Sequence, residues 1–193
     1  MEVRVLRNEE VKIASGLCRY VFDSCLRERM EYPQTIGYVE EYIAENNLFH
    51  LVAESKLILW GAFEGEQMVG AAGIQSDGMI TILYVLPQCQ NKGYGSQLLK
   101  VMRDYAKNIC GFRKVTVNAN PAWTSFFFSK KGFSNLNDSQ DLKAPFIPMY
   151  AFADSVDRYE KRKVSKKWII LAVISCFLFA TIVGSLFMIW YLF

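Results

Sequence analysis

The feature that most constrains the fold is a run of 26 residues, 168–193, that contains no Lys, Arg, His, Asp or Glu. At about 1.5 Å of rise per residue, a helix of that length crosses a hydrocarbon layer about 30 Å thick with some tilt. A helix buried in a soluble core is normally shorter and amphipathic. Trp168 at one end, and Trp190 with Tyr191 at the other, stand where interfacial aromatics belong. Arg158, Lys161, Arg162, Lys163, Lys166 and Lys167 immediately precede the run. Positive residues are retained on the cytoplasmic side, so a single-pass membrane segment is expected, with everything before it cytoplasmic. Ala172, Cys176, Ala180 and Gly184 recur every four residues as a stripe of small side chains. Such a stripe is either a homodimer face or the usual small-residue content of a membrane helix.

The hydrophobic fraction of 52% is therefore unevenly spread. Without the run, what remains reads as an ordinary soluble domain of about 160 residues. The expected organisation is a domain at 1–157, a basic juxtamembrane linker at 158–167 and the membrane segment at 168–193. A net charge of +3, spread evenly over the globular part, argues against a nucleic-acid surface. Cys18, Cys25, Cys89, Cys110 and Cys176 form no CxxC pair and are odd in number, which argues against a disulfide framework or a zinc site. Reduced thiols follow, and no metal is expected. Residues 1–4 open directly on a strand-like alternation, so no signal peptide is expected before the domain.

Along the globular part, residues 3–6 alternate as an edge strand, and Asn8, Glu9 and Glu10 open a helix that runs to about Met30 before Pro33. A second helix is predicted over 36–46, stopped by Asn46 and Asn47. Three apolar, β-branched runs at 57–63, 68–74 and 79–85 are separated by turn signals and predict an antiparallel meander. Residues 93–108 carry Leu98, Met102 and Tyr105 at helical spacing, with Lys100, Arg103, Asp104 and Lys107 assigned to the opposite, polar side. A strand at 114–118, a short helix around 123–131 and a last strand at 146–152 complete the order β-α-α-β-β-β-α-β-α-β. Pro148 argues for an edge position for that last strand.

The loop between Pro87 and Ser96 carries the chemistry. A strand ends, a polar loop follows, and a helix begins near Gly93, so the first-turn amides lack intrahelical partners and face outward at the positive end of the helix dipole. Gly93 and Gly95 have no Cβ to hold a phosphate away from the backbone. Lys92 adds charge and the Ser96 hydroxyl a further donor. The P-loop pattern GxxxxGKS/T is absent, and the dinucleotide pattern GxGxxG fails at Leu98.

Gln90-x-x-Gly93-x-Gly95, following Leu83-Tyr84-Val85-x-Pro87, resembles the signature of the GNAT family of N-acetyltransferases. Residues 117–121, then Phe127, Phe128, Lys130, Gly132 and Phe133, resemble that family's strand and the end of its FYxKxGF helix. Residues 146–149 resemble its closing strand, so the resemblance covers roughly residues 1–153. It implies an α/β (α+β) fold with a mixed, mostly antiparallel central sheet flanked by helices, here followed by one C-terminal transmembrane helix.

The resemblance further implies acetyl-CoA as co-substrate, its pyrophosphate on Gln90, Asn91, Lys92, Gly93, Tyr94, Gly95 and Ser96, with Asn120 also on the cofactor. Pantetheine would lie along Leu83, Tyr84 and Val85, with the thioester at a gap beside the next strand. A primary amine would attack directly, so no Ser-His or Cys-His pair is required. The usual proton-donating tyrosine is replaced by Phe128, which leaves Tyr150 and Tyr84 as substitutes. His50, the one histidine, is read as structural or surface, ahead of a strand-like run. The acceptor site is expected at the connection between the first two helices, with Glu28, Glu31 and Tyr32. The alternatives are an acyl-CoA sensor without turnover and a scaffold at the membrane.

Overall fold

The computed structural model describes residues 1–136 and 146–153. The expected membrane segment, its small-residue stripe and the expected basic linker lie outside these residues. Among the described residues, no helix is long and apolar enough to cross a membrane.

The chain opens with strand β1 (Glu2–Val5), a 3-10 turn and helix α1 (Val11–Val21). Val11, Ala14, Leu17, Cys18 and Val21 recur every three or four residues and are buried, so one stripe of α1 faces the core. The entry to α1 is fixed by Glu10. Its carboxylate accepts from the Arg7 amide at 2.9 Å and from both Arg4 guanidinium nitrogens at 2.8 and 2.6 Å. Beyond Val21 the helix widens into a π turn (Phe22–Leu26) and closes with a 3-10 turn (Arg27–Arg29).

Next come α2 (Gln34–Tyr42), α3 (Glu45–Ala53) and the meander β2 (Leu57–Glu64), β3 (Gln67–Gln75) and β4 (Met79–Val85). Then follow α4 (Tyr94–Asn108), β5 (Lys114–Ala119), α5 (Ser125–Lys130), β6 (Ser134–Asn135) and β7 (Ile147–Phe152). The sheet order is β1-β2-β3-β4-β5-β7-β6. Every pairing is antiparallel except β4 with β5, whose parallel alignment requires the crossover that α4 supplies. Helices cover both faces. Tyr84 lies beside Cys18 of α1, while a methyl placed on Gly95 of α4 would stand 3.8 Å from Cγ2 of the next residue, Val85. Successive strand residues point to opposite faces, so α1 and α4 pack on opposite sides.

Four sequence expectations are corrected. Asn46 and Asn47 do not stop a helix; they sit in the first turn of α3, which drives Leu48 fully into the core and carries exposed His50 on its surface rather than ahead of a strand. Arg103 is not on the polar side of α4 but is 1% exposed. Its guanidinium donates to the Lys131 carbonyl at 2.9 Å and the Phe152 carbonyl at 2.6 Å and lies over the Phe133 ring. These bonds replace the water that a buried cation would otherwise lose. β7 is not an edge strand, because β6 pairs with Met149 and Tyr150 on its far side. Pro148 falls one residue past that ladder, where its carbonyl accepts from the Leu136 amide at 2.8 Å. The element order therefore gains α3 and β6.

Candidate acyl-CoA site

The site begins with a parting of strands. β4 pairs with β5 only at Met79↔Thr116 and Ile80↔Val117. On its other edge β4 aligns Ile80 with Ile74 and Ile82 with Gly73, so Thr81 has no partner in β3. An extra residue of this kind bends the bulged strand. The bulge at Thr81 comes directly after the last β4–β5 pair, and from there Leu83, Tyr84 and Val85 line a gap open towards β5.

At the open end of the gap stands the loop into α4. A 3-10 turn (Pro87–Cys89) follows β4, with the buried Cys89 donating its amide to the Leu86 carbonyl at 2.8 Å. The Gln90 side-chain amide donates to the Val85 carbonyl at 3.1 Å, which fastens the loop to the end of β4. Asn91 and Gly93 take φ of 61° and 95°. A Cβ on Gly93 would meet nothing within 4 Å, so glycine is required there by its backbone angle and the space above it is open. Gln97 makes the bond back to the Gly93 carbonyl at 3.0 Å. The amides of Tyr94, Gly95 and Ser96 therefore precede the helical ladder and point out at the N-terminus of a 15-residue helix. Tyr94 offers only its amide: its side chain is buried, and burial followed by the charge of Glu64 pushes its phenol up. Lys92 is exposed at the rim.

Phe127, read in the sequence only as part of the FYxKxGF-like helix end, has a second place here: a methyl on Gly95 would meet its ring at 3.6 Å, so this half-buried ring forms the wall beside the helix start. Phe128 stacks edge-on against Phe127 and Phe133, with centroids 5.3 and 5.4 Å apart, and is 7% exposed. It is a packing residue without a hydroxyl. Burial pushes the Tyr84 phenol up, so it stays protonated at neutral pH. Tyr150 pairs across from Thr116, level with the closed end of the gap, and its ring lies beside Phe152 and the Lys114 ammonium, 5.1 Å away.

On the α1 side the structure assembles a group that sequence reading missed. The Gln75 side-chain amide donates to Tyr42 Oη at 2.8 Å, and the Tyr42 hydroxyl donates to Thr81 Oγ1 at 2.8 Å. Burial pushes the Tyr42 phenol up, and these two hydrogen bonds oppose the shift. No residue of α2 itself is buried. Near its N-terminus, the Tyr32 main-chain carbonyl accepts from the Thr35 amide and hydroxyl at 2.9 and 2.7 Å. Glu28 and Glu31 are exposed. The carboxylates organised in this region are instead Asp23 and Glu40, both bonded by Arg27. Arg29 lies over the Trp123 ring at 5.8 Å and so links the α1–α2 connection to the segment after β5, where Asn120 is half-buried. Among the described residues, no cluster of three or more His, Cys, Asp or Glu could hold a metal.

A mixed sheet whose one parallel pair parts beside a helix N-terminus sets a free strand edge next to an anion site. The acetyltransferase (GNAT) domain family matches residues 27–151, more than half of the chain, and the chain belongs to that family. It is an acetyltransferase. Solved structures agree on the fold. A GCN5-related N-acetyltransferase from Rhodopseudomonas palustris superposes with a TM-score of 0.64 at 17% identity, covering 78% of this chain and 94% of that one. The PaiA N-acetyltransferase from Thermoplasma acidophilum, solved with coenzyme A, gives 0.59 at 16% identity, covering 79% and 99%. A spermidine N-acetyltransferase from Vibrio cholerae gives 0.53 at 14% identity, covering 84% and 99%. No curated protein matches the chain.

Proposed function

We propose that this chain transfers an acetyl group from acetyl-CoA to an amine by direct attack, and that residues 168–193 hold the domain at the cytoplasmic face of a membrane. The observation that carries the first part is the gap opened at Thr81 facing three outward amides at the start of α4. The residues present fit the co-substrate: the amides of Tyr94, Gly95 and Ser96 and the open space over Gly93 suit a pyrophosphate. The edge of β4 at Leu83, Tyr84 and Val85 suits an extended pantetheine. Bound acetyl-CoA supplies the activated acyl group. The unprotonated amine nitrogen forms the new bond to the acyl carbon as the carbon–sulfur bond breaks, the surplus proton on nitrogen passing to water and the sulfur leaving as the thiol. A thiol of pKa near 8.5 leaves with modest help, for which Tyr84 and Tyr150 are the candidate donors. Glu28, Glu31 and Tyr32 remain the acceptor-side candidates.

Phe128, buried and without a hydroxyl, favours one other reading, a sensor that binds acyl-CoA without turnover. Calorimetry and thiol release across an amine panel separate the two. The expected result is coenzyme A binding with turnover on at least one amine, and a loss of affinity of about tenfold or more in Gly93→Asp, which sets a carboxylate in the anion site. Unchanged affinity in that variant removes the phosphate site. Binding without turnover on any amine favours the sensor.

A further inference from the structure

α4 runs from the acyl-CoA loop to the opposite end of the domain, about 22 Å away for a helix of its length. At that far end β5 begins and β7 finishes, tied by the bond from the Ala153 amide to the Arg113 carbonyl at 3.0 Å. The surface there joins apolar and basic side chains, with the carboxylate of Asp77 in the neighbouring turn engaged by the Met79 amide at 2.9 Å. Ile109 is 72% exposed and Phe152 49% exposed. Arg113 and Lys114 are exposed, and no carboxylate pairs with either among the described residues. The Lys114 ammonium lies 5.2 Å from the Phe152 ring, so aromatic and cation stand together. From this end the chain continues into Arg158, Lys161, Arg162, Lys163, Lys166 and Lys167 and then into the uncharged run that starts at Trp168. Fully extended, residues 154–167 reach at most about 50 Å, a tether that lets this surface reach a bilayer holding Trp168.

We propose that this end of the domain rests on an anionic bilayer surface. Ile109 and Phe152 seat among the headgroups and Arg113 and Lys114 against their negative charges, an arrangement in which apolar burial and electrostatic attraction add. The acyl-CoA loop, at the other end of α4, then faces the water from which a soluble co-substrate arrives. The proposal rests on the reading of residues 168–193 as a membrane segment.

The test uses the full chain in nanodiscs of phosphatidylcholine, with and without phosphatidylserine, followed by amide hydrogen exchange. Exchange at residues 109–114 should slow several-fold in the phosphatidylserine discs, while residues 90–96 stay as they are. High salt, or Arg113→Glu with Lys114→Glu, should abolish the difference. Ile109→Ser, at an exposed position that does not threaten the fold, should weaken it. A chain that does not co-purify with the discs sinks both the membrane reading and this proposal. A chain retained in the discs but with the same exchange at 109–114 in both lipids sinks this proposal alone. Slowing at 90–96 instead overturns it by placing the opposite end on the lipid.

Discussion

The hydroxyl of Tyr42, in the last turn of α2, donates to Thr81 Oγ1 at 2.8 Å, on the one residue of β4 that the β3 ladder passes over. The point at which the sheet opens is thereby bonded to the helix that flanks it. Tyr42→Phe removes this bond together with the one accepted from Gln75, and leaves the ring stacked on Tyr38. The expected cost is about 1 kcal/mol. Because the side chains of α2 that meet the core are only partly buried, the loss should appear as faster hydrogen exchange along α2 with the sheet amides unchanged. Equal acceleration in β2 and β3 would show that the bond supports the whole domain rather than this helix.

Arg103 holds the carbonyls that end α5 and β7, and no neutral side chain can serve both. Arg103→Met should destabilise the domain by about 3 kcal/mol, since two buried carbonyls lose their charged donor. The denaturation midpoint is the measurement. A shift worth under about 1 kcal/mol means that water replaces the guanidinium.

The Glu10 carboxyl is held well below the usual carboxylate range, first by the bond from Arg4 and then by the Arg7 amide. A group depressed in the folded state stabilises above its unfolded pKa, about 4.3, and that stability is lost as pH falls further towards the folded value. Stability should therefore be insensitive to this group between pH 6 and 8 and decline below about pH 4.3. Glu10→Gln should cost about 1–2 kcal/mol at neutral pH and flatten the acid limb of the profile. An unaltered acid limb in the variant assigns that limb to other carboxylates.

Phe128→Tyr places a hydroxyl against the Phe127 and Phe133 rings. The expected outcome is a loss of about 1–3 kcal/mol and no gain in thiol release, because the new group is buried rather than presented to the gap. Higher turnover in the variant would instead set that hydroxyl beside the sulfur and mark leaving-group protonation as limiting.

The meander and the loop into α4 were legible because each rests on a local signal: β-branched runs parted by turn residues, and a glycine at the angle that a helix entry needs. What was missed depends on partners remote in the chain. Thr81 sits in an apolar, β-branched run, and nothing in Ile80-Thr81-Ile82 marks a bulge that only the alignment with Gly73 and Ile74 creates. Tyr42 falls within the helix predicted over 36–46, but its hydroxyl finds Gln75 and Thr81 more than thirty residues on. Arg103 follows the spacing of a polar face, and the carbonyls that draw it inward belong to Lys131 and Phe152. β6, at two residues, is too short to leave a pattern. Asn46 and Asn47 carry a stop signal that the burial of Leu48 overrides.

The two faces of α2 have a consequence for how such a chain changes over time. Gln34, Tyr38 and Glu41 stand on its exposed face, where exchange of one side chain for another typically alters stability by under about 0.5 kcal/mol. Ile36, Val39 and Tyr42 of the same helix pack against the core, which limits what can replace them. Sequence drift along α2 is therefore expected to be one-sided, free towards water and restricted towards the sheet.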